Sequence, residues 1–432
     1  MSGPLAALGT LVGRDGVLAG DAVAPWRVGD QLPLAVVTPG SAAELARVLA
    51  SAHAEGWRVI PAGAGGWLGD LPLAEGAEAP IVVSTRRLTD VIHYEPADLT
   101  VTVEAGMSLA ALQARVGAEG QWIPLDPPPD DSGTIGATLA TASAGPLASA
   151  YGSPRDLALG IDLVGGDGRV LELGGRVVKN VAGFDLVRPA VGSWGVLGII
   201  TAATLRLYPR PELDATLVFE HDDPTVVDGV ARRVATGPIT PAALETAGPW
   251  PPGGDRRAMC LRLTGSEPEV DEMERLARAS TDESGWRRLD PPEAEAAAAH
   301  LRGLDAHADL VIRLTLLPSR LARVRDLVEG LADDLDSRRR ARVSTVTDVL
   351  TGTTRVGVAD PGARVPELAG AVKRLREAAE AEGGSVRVSS GPAELIRLVG
   401  AWGGAGAVQR LSGGMRNAFD PKGVLPWERF AS

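Results

Sequence analysis

Few residues in this chain have both the type and the spacing that chemistry requires. In "PAGAGGWLGD", at 61–70, Gly63, Gly65, Gly66 and Gly69 leave a run of backbone N–H groups uncovered by side chains. Such a run is either an anion-binding nest that needs no basic residue or a plain glycine turn between strands. A dinucleotide fingerprint would need glycine where Leu68 stands. The "LPLAEGAEAP" that follows puts two prolines where the phosphate-binding helix would begin, so the Rossmann reading fails.

A second stretch, "GGRVVKNVAGFDLVRPAVGSWGVLGIITAATLRL" at 174–207, encloses Lys179, Asn180, Asp185 and Trp194 among glycines and aliphatics. Buried polar groups need partners, which protein or ligand can supply. Lys179 and Asp185 therefore contact a ligand, fix loops, or pair with each other. Trp194 reads as core, since burial of its ring explains it.

Of the five histidines, His53, His93, His221, His300 and His307, only the last two are close in sequence. On an unbroken helix they would share a face about 10 Å apart along the axis, too far for one metal ion, and Gly303 argues against that helix. Asp305 and Asp309 flank His307 as a solvated turn would. No metal site is expected. Arg397, Arg410 and Arg416 suit either a carboxylate ligand or solvent.

The elements that must position these residues are legible in part. "LPLAVVTPGSAAELARVLASAHAEGWRVIPAGAGG" reads as strand, helix, strand and glycine loop, with a capping box from Ser41 to Glu44 and a buried stripe of Leu45, Val48, Leu49 and Ala52. Ser108 starts a helix that stops at Gly120. Residues 121–160 are rich in Gly, Pro, Ser and Thr but too long and apolar for a solvent loop, the mark of a functional segment. "GIDLVGGDGRVLEL" is a hairpin with Asp167 and Gly168 at its tip. After Pro209 and Pro211 come strands "DATLVFE", "RAMCLRLTG", "DLVIRLTLLP", "TRVGVA" and "SVRVSS", with helices over 267–280, 319–334 and 365–382. That order predicts an antiparallel sheet with helices on one face.

The chain of 432 residues is 45% hydrophobic and 23% charged, in the range of compact globular proteins. Its net charge of -12 opposes a nucleic-acid partner, because the one dense basic run, "SRRRARV" at 337–343, reads as a solvated turn or helix end. The lone Cys260 excludes an internal disulfide and an iron–sulfur centre held by this chain alone. There is no run of 18 apolar residues and no signal-peptide pattern, so the expectation is a soluble cytoplasmic protein with no direct membrane insertion.

In order, "PAGAGG", "YEPADLTVTVEAG", "PLDPP", "TIGATLAT", "YGSPRDLALG", "GGRVVKNVAGFDL" and "GSWGVLGIITAATLRLYPRP" cover roughly 33–210. Together they resemble the FAD-binding domain of the PCMH-type, or vanillyl-alcohol-oxidase, flavoproteins, and most closely the FAD-binding subunits of bacterial glycolate oxidases. The resemblance implies an α+β chain: an N-terminal segment (1–29), a two-subdomain FAD-binding fold (30–211), an α+β cap domain with an antiparallel sheet (212–400), and a segment returning to the FAD domain (401–432).

It also implies roles for particular residues. Gly63, Ala64, Gly65, Gly66 and Trp67 would cradle the FAD pyrophosphate. Pro127, Thr134, Ile135, Gly136 and Thr141 would border flavin and phosphates, and Tyr151, Gly152 and Asp156 would line the cofactor. Lys179 would contact it, and Gly198 and Ile199 would present backbone to the adenine side. The sequence departs from the pattern where many relatives carry arginine at Ala62, asparagine near Ala142 and glutamate at Trp194. Trp67 occupies the neighbourhood of the histidine of covalent members, which implies noncovalent FAD.

The function implied is that of an FAD-binding subunit of a 2-hydroxy-acid oxidase complex, with a larger flavoprotein and an iron–sulfur protein as partners and a small hydroxy acid as substrate. A self-contained flavoenzyme for another alcohol or hydroxy acid, and a scaffold that has lost flavin, are the alternatives. No residue stands out as the catalytic base.

Overall fold

The computed structural model describes residues 4–69, 71, 73, 78–128, 133–176, 184–250, 254, 256–281, 285–335, 342–361, 364–402 and 407–427. Lys179, Asn180 and most of the basic run at 337–343 lie outside them.

The first unit is a four-stranded sheet in the order Val17–Leu18, Ala35–Val37, Ile81–Ser84, Val59–Ala62, its last three strands parallel. Parallel neighbours need a crossover, and helix Ala42–Glu55 supplies it, with Leu45, Val48, Leu49 and Ala52 fully buried. The Ser41 hydroxyl caps this helix by accepting from the Glu44 N–H. The other half of the expected box is displaced by one residue, since the Glu44 carboxylate accepts from Gly40 N–H. Helix Pro4–Val12 packs on the same core through Leu8 and Val12.

The second unit is a five-stranded antiparallel sheet in the order Val91–Glu95, Thr100–Glu104, Ile199–Arg206, Ala158–Val164, Val170–Gly174. The hairpin at 158–174 closes as its turn residues require, with Gly168 at φ 85°. The described residues of 121–157 carry strand Gln121–Trp122 and the short helices Ile135–Thr141, Ala148–Tyr151 and Pro154–Leu157.

The third unit is an eight-stranded antiparallel sheet: Trp286–Arg288, Leu213–His221, Arg256–Gly265, Ala243–Trp250, Arg342–Asp348, Thr353–Ala359, Leu310–Thr315, Ser385–Ser390. Strand alternation sorts its two faces. Leu217, Phe219, Met259, Leu261, Ile312 and Val356 pack under helices Pro224–Thr236, Glu267–Ala279, Leu321–Leu335 and Val365–Ala381. The opposite face carries Glu245, Arg313, Asp348, Arg355 and Arg387, and it is turned toward the glycine loop. Helix Pro291–Gly303 departs from the expected one-sided packing. Its Ala297 and Leu301 join Val218, Ala258 and Cys260 on this second face.

The chain end returns to the first unit, where Val59 N–H donates to Val424 O and both Asp420 carboxylate oxygens accept backbone N–H groups, from Val424 and Leu425. No helix among the described residues is long and apolar enough to cross a membrane.

Candidate functional site

Between the first unit and the eight-stranded sheet lies a cleft of about 420 Å³. One wall is the glycine loop that follows strand Val59–Ala62. Its carbonyls are tied back to the neighbouring strand, with the Ser84 hydroxyl donating to Gly63 O at 2.7 Å and Thr85 N–H to Ala62 O at 2.9 Å. Among the described residues the N–H groups of Ala64, Gly65, Gly66 and Trp67 donate to no backbone carbonyl. The loop is therefore a wall of free donors, as an anion-binding nest requires.

Two glycines make that wall possible. A Cβ on Gly63 would stand 2.1 Å from Thr134 Oγ1, and Gly65 holds φ 98°, where side chains are strained. The bare backbone, the room in front of it and the absence of any need for a basic residue fit an extended dinucleotide such as FAD.

The other borders come from the same half of the chain. Thr134 caps helix Ile135–Thr141 by accepting from Ala137 N–H at 3.2 Å. Pro127, Thr134, Gly136, Thr141, Gly198 and Ile199 line the cleft together with 63–67. Ile135 does not. It is 1% exposed and turns into the core of the second unit.

Four further sequence-predicted residues are elsewhere. Tyr151 stacks edge-on with Trp122 and Tyr208 and hydrogen-bonds Thr264 at 2.8 Å, so it joins the FAD half to the cap sheet. Asp156 caps its own helix through Ser153, whose hydroxyl holds its carboxyl below the usual range. Gly152 is the φ 97° turn between those two. Asp185 pairs with Arg188 at 2.9 Å in solvent.

Trp194, expected in the core, is half-buried and lines the cleft at φ 54°. Its ring meets that of Trp67 edge-to-face at 5.3 Å. Gly192 and Gly195, at φ 84° and φ 78°, put the chain on either side of it in the left-handed region as well.

The wall opposite the glycine loop is a feature sequence reasoning missed. Arg313 lies directly across the strand ladder from Arg355 on one side and Arg387 on the other, so the three guanidinium groups form one row facing the cleft. Arg355 is neutralised by Asp305 at 2.5 Å and donates to the carbonyls of Arg302 and Leu301. Arg387 lies over the rings of Trp194 and Trp402, 6.0 and 4.6 Å from their centroids. Arg313 has no ion pair among the described residues, and its Nε has no hydrogen-bond partner. Burial first, and then the Arg355 charge, lower its pKa from the ordinary arginine value. An anion bound there would relieve both effects. The available signal was a lone arginine in the middle of each of the apolar strands "LVIRLT", "TRVGVA" and "SVRVSS".

The histidines take no part in this wall. Helix Pro291–Gly303 ends before His307, and His300 sits against Trp250 and Pro249 O.

Residues 33–174 match the family model described as an FAD binding domain. The chain is 32% identical over 219 residues to the glycolate oxidase subunit GlcD of Bacillus subtilis (strain 168), covering 50% of this chain and 45% of that one. It is 38% identical over 128 residues to the glycolate oxidase subunit GlcE of Escherichia coli (strain K12), covering 29% and 37%. It is 37% identical over 179 residues to a D-2-hydroxyglutarate dehydrogenase of Xanthomonas citri pv. viticola, covering 41% and 38%. The chain thus spans less than half the length of these curated relatives.

Among solved structures, an alkyldihydroxyacetonephosphate synthase superposes with a TM-score of 0.78 at 16% identity over 98% of this chain and 85% of its own. A 4-ethylphenol oxidase from Gulosibacter chungangensis does so at 0.74 and 15%, over 98% and 95%. The likeness of fold runs through the cap as well as the cofactor half. Residues 33–174 match an FAD-binding domain, and the whole chain shares the fold of these two solved structures.

Proposed function

We propose that this protein is an FAD-dependent oxidoreductase of small 2-hydroxy acids, working as the FAD-binding subunit of a glycolate-oxidase-type complex. The observation that carries the reading is Arg313, a cation in the cleft wall with no ion pair among the described residues, opposite the glycine loop. The relatives named glycolate oxidase subunits and 2-hydroxyglutarate dehydrogenase support the substrate class.

Bound FAD would supply the hydride acceptor. The chain's own residues do the rest. The N–H groups of 64–67 hold the dinucleotide's phosphates, and Trp67 and Trp194 close one side of the cleft with apolar surface. Arg313 takes the substrate carboxylate in a charge-assisted pair, and Arg355, locked by Asp305, keeps the row in place. Holding the carboxylate there orients the hydroxyl-bearing carbon toward the cofactor side.

Partnership with a larger flavoprotein and an iron–sulfur protein is part of the proposal, since this chain has one cysteine and that one, Cys260, is buried. The test is the visible spectrum of the purified chain with FAD, before and after anaerobic glycolate and D-lactate, alone and with the co-purified partners. A flavin spectrum that bleaches once partners are present supports the subunit reading. Full turnover by the isolated chain would replace it with a self-contained enzyme, and a chain that never takes up FAD would overturn both.

A further inference from the structure

Beside the arginine row is a second chamber of about 210 Å³, which shares Pro128, Arg313 and Arg355 with the cleft. One side is apolar. Ala294, Ala297 and Ala298, spaced to share one face of helix Pro291–Gly303, leave room where larger side chains would fill it.

The other side is polar and incompletely satisfied. Asp126 is 7% exposed; its Oδ2 accepts from Leu147 N–H at 3.3 Å, while Oδ1 has no hydrogen-bond partner among the described residues. Arg302 and Arg313 bring Nε donors that likewise lack an acceptor. Glu245, 8% exposed, faces the same space from the strand ladder opposite Asp348. Leaving a buried donor or acceptor unmade costs about 1–3 kcal/mol each, so the chamber selects what fills it.

An apolar group would satisfy none of these atoms. A carboxylate only accepts, so it would leave Asp126 Oδ1 without a donor. An ammonium only donates and would face Arg262, Arg302, Arg313 and Arg355. A hydroxyl does both, donating to Asp126 Oδ1 and accepting from an arginine. Burial raises the Glu245 pKa to about 8, so at neutral pH it too is a donor.

We infer that the second chamber holds the hydroxylated tail of the substrate, which makes that substrate a polyhydroxylated 2-hydroxy acid of the sugar-acid class rather than glycolate. The inference rests on the oxidoreductase reading, because Arg313 holds the carboxylate at the mouth of the chamber.

The experiment is a thermal-shift titration of the FAD-loaded chain, under anaerobic conditions, with D-glycerate, D-gluconate, D-lactate and glycolate. The hydroxylated acids are expected to half-saturate at about tenfold lower concentration, the equivalent of one hydrogen bond to a charged group. Ala298→Leu, which fills the chamber from a half-buried position, is expected to erase that advantage and leave lactate unchanged; Ala294→Leu serves as a second filling variant should the first fail to fold. Equal half-saturation by all four acids, with no differential effect of either variant, would overturn the inference and leave a chamber of water only. If the preference is present but no acid bleaches the flavin even with the co-purified partners added, the chamber assignment stands and the oxidoreductase reading falls. If the acids bleach the flavin without preference, the reverse holds.

Discussion

Arg313 and Arg355 face each other across the strand ladder, yet among the described residues Arg355 alone of the two has an ion pair, with Asp305 at 2.5 Å. Two like charges side by side on one sheet face are destabilising unless each is compensated. The asymmetry separates a structural arginine from a ligand-binding one.

Substitution should therefore divide the two. Arg313→Ala is expected to raise the KM for hydroxy acids about 10- to 100-fold, as loss of a charged hydrogen-bonding partner does, with FAD affinity and Tm nearly unchanged. Arg355→Ala leaves Asp305 uncompensated, at 13% side-chain exposure, and is expected to destabilise by about 3–5 kcal/mol. Steady-state kinetics and denaturant melts on the same preparations separate the outcomes.

The glycine loop permits a sharper test. Gly63→Ala would place a methyl 2.1 Å from Thr134 Oγ1, which itself is committed to capping Ala137. The loop must then shift, and the variant is expected to lose FAD, read as the ratio of flavin to protein absorbance after dialysis. A variant that retains stoichiometric flavin would remove the loop from the cofactor site.

Asp126 and Glu245 predict how stability follows pH. Burial raises their pKa values to about 7 and about 8, each opposed in part by nearby arginines. A carboxyl with a raised folded pKa keeps its proton after the unfolded chain has lost its own, so folding takes up protons and stability falls as pH rises. The fall begins near the unfolded pKa of about 4 and levels off above the folded values. Asp126→Asn and Glu245→Gln should each flatten the decline between about pH 4.5 and 8, measured by urea melts across that range.

Ala142 ends helix Ile135–Thr141 in the left-handed conformation, at φ 49° and ψ 37°. The position suits glycine or asparagine, and asparagine is the residue the resemblance puts nearby. Ala142→Gly is expected to stabilise by roughly 1 kcal/mol, seen as a higher Tm with flavin content unchanged.

Much of the scaffold was legible because its cues are local. The Leu45, Val48, Leu49, Ala52 stripe, the Ser108 cap on Ala111 and the Gly168 turn depend on neighbours a few residues away, and each forms as its spacing dictates. Strands Ala243–Trp250 and Arg342–Asp348 were missed, the first because "ALETAGPW" breaks its alternation with Glu245 and Pro249, the second because it adjoins the basic run. The glycine loop announced itself through glycines whose necessity is conformational and therefore visible in one segment.

By itself the sequence determined the helices that begin at Ser41 and Ser108 and those near 267–280, 319–334 and 365–382, many of the strands, the glycine-rich loop and the motif order that resembles an FAD-binding domain, since side-chain periodicity and backbone freedom are properties of short segments; helices such as Pro224–Thr236 and Pro291–Gly303 it did not. Only the tertiary structure decided that Tyr151 and Asp156 lie outside the cleft, that Trp194 lines it, and that Arg313, Arg355 and Arg387 meet in one row. Strand register brings those arginines together from three separate segments, and burial then acts on charges whose neighbours no local pattern reveals.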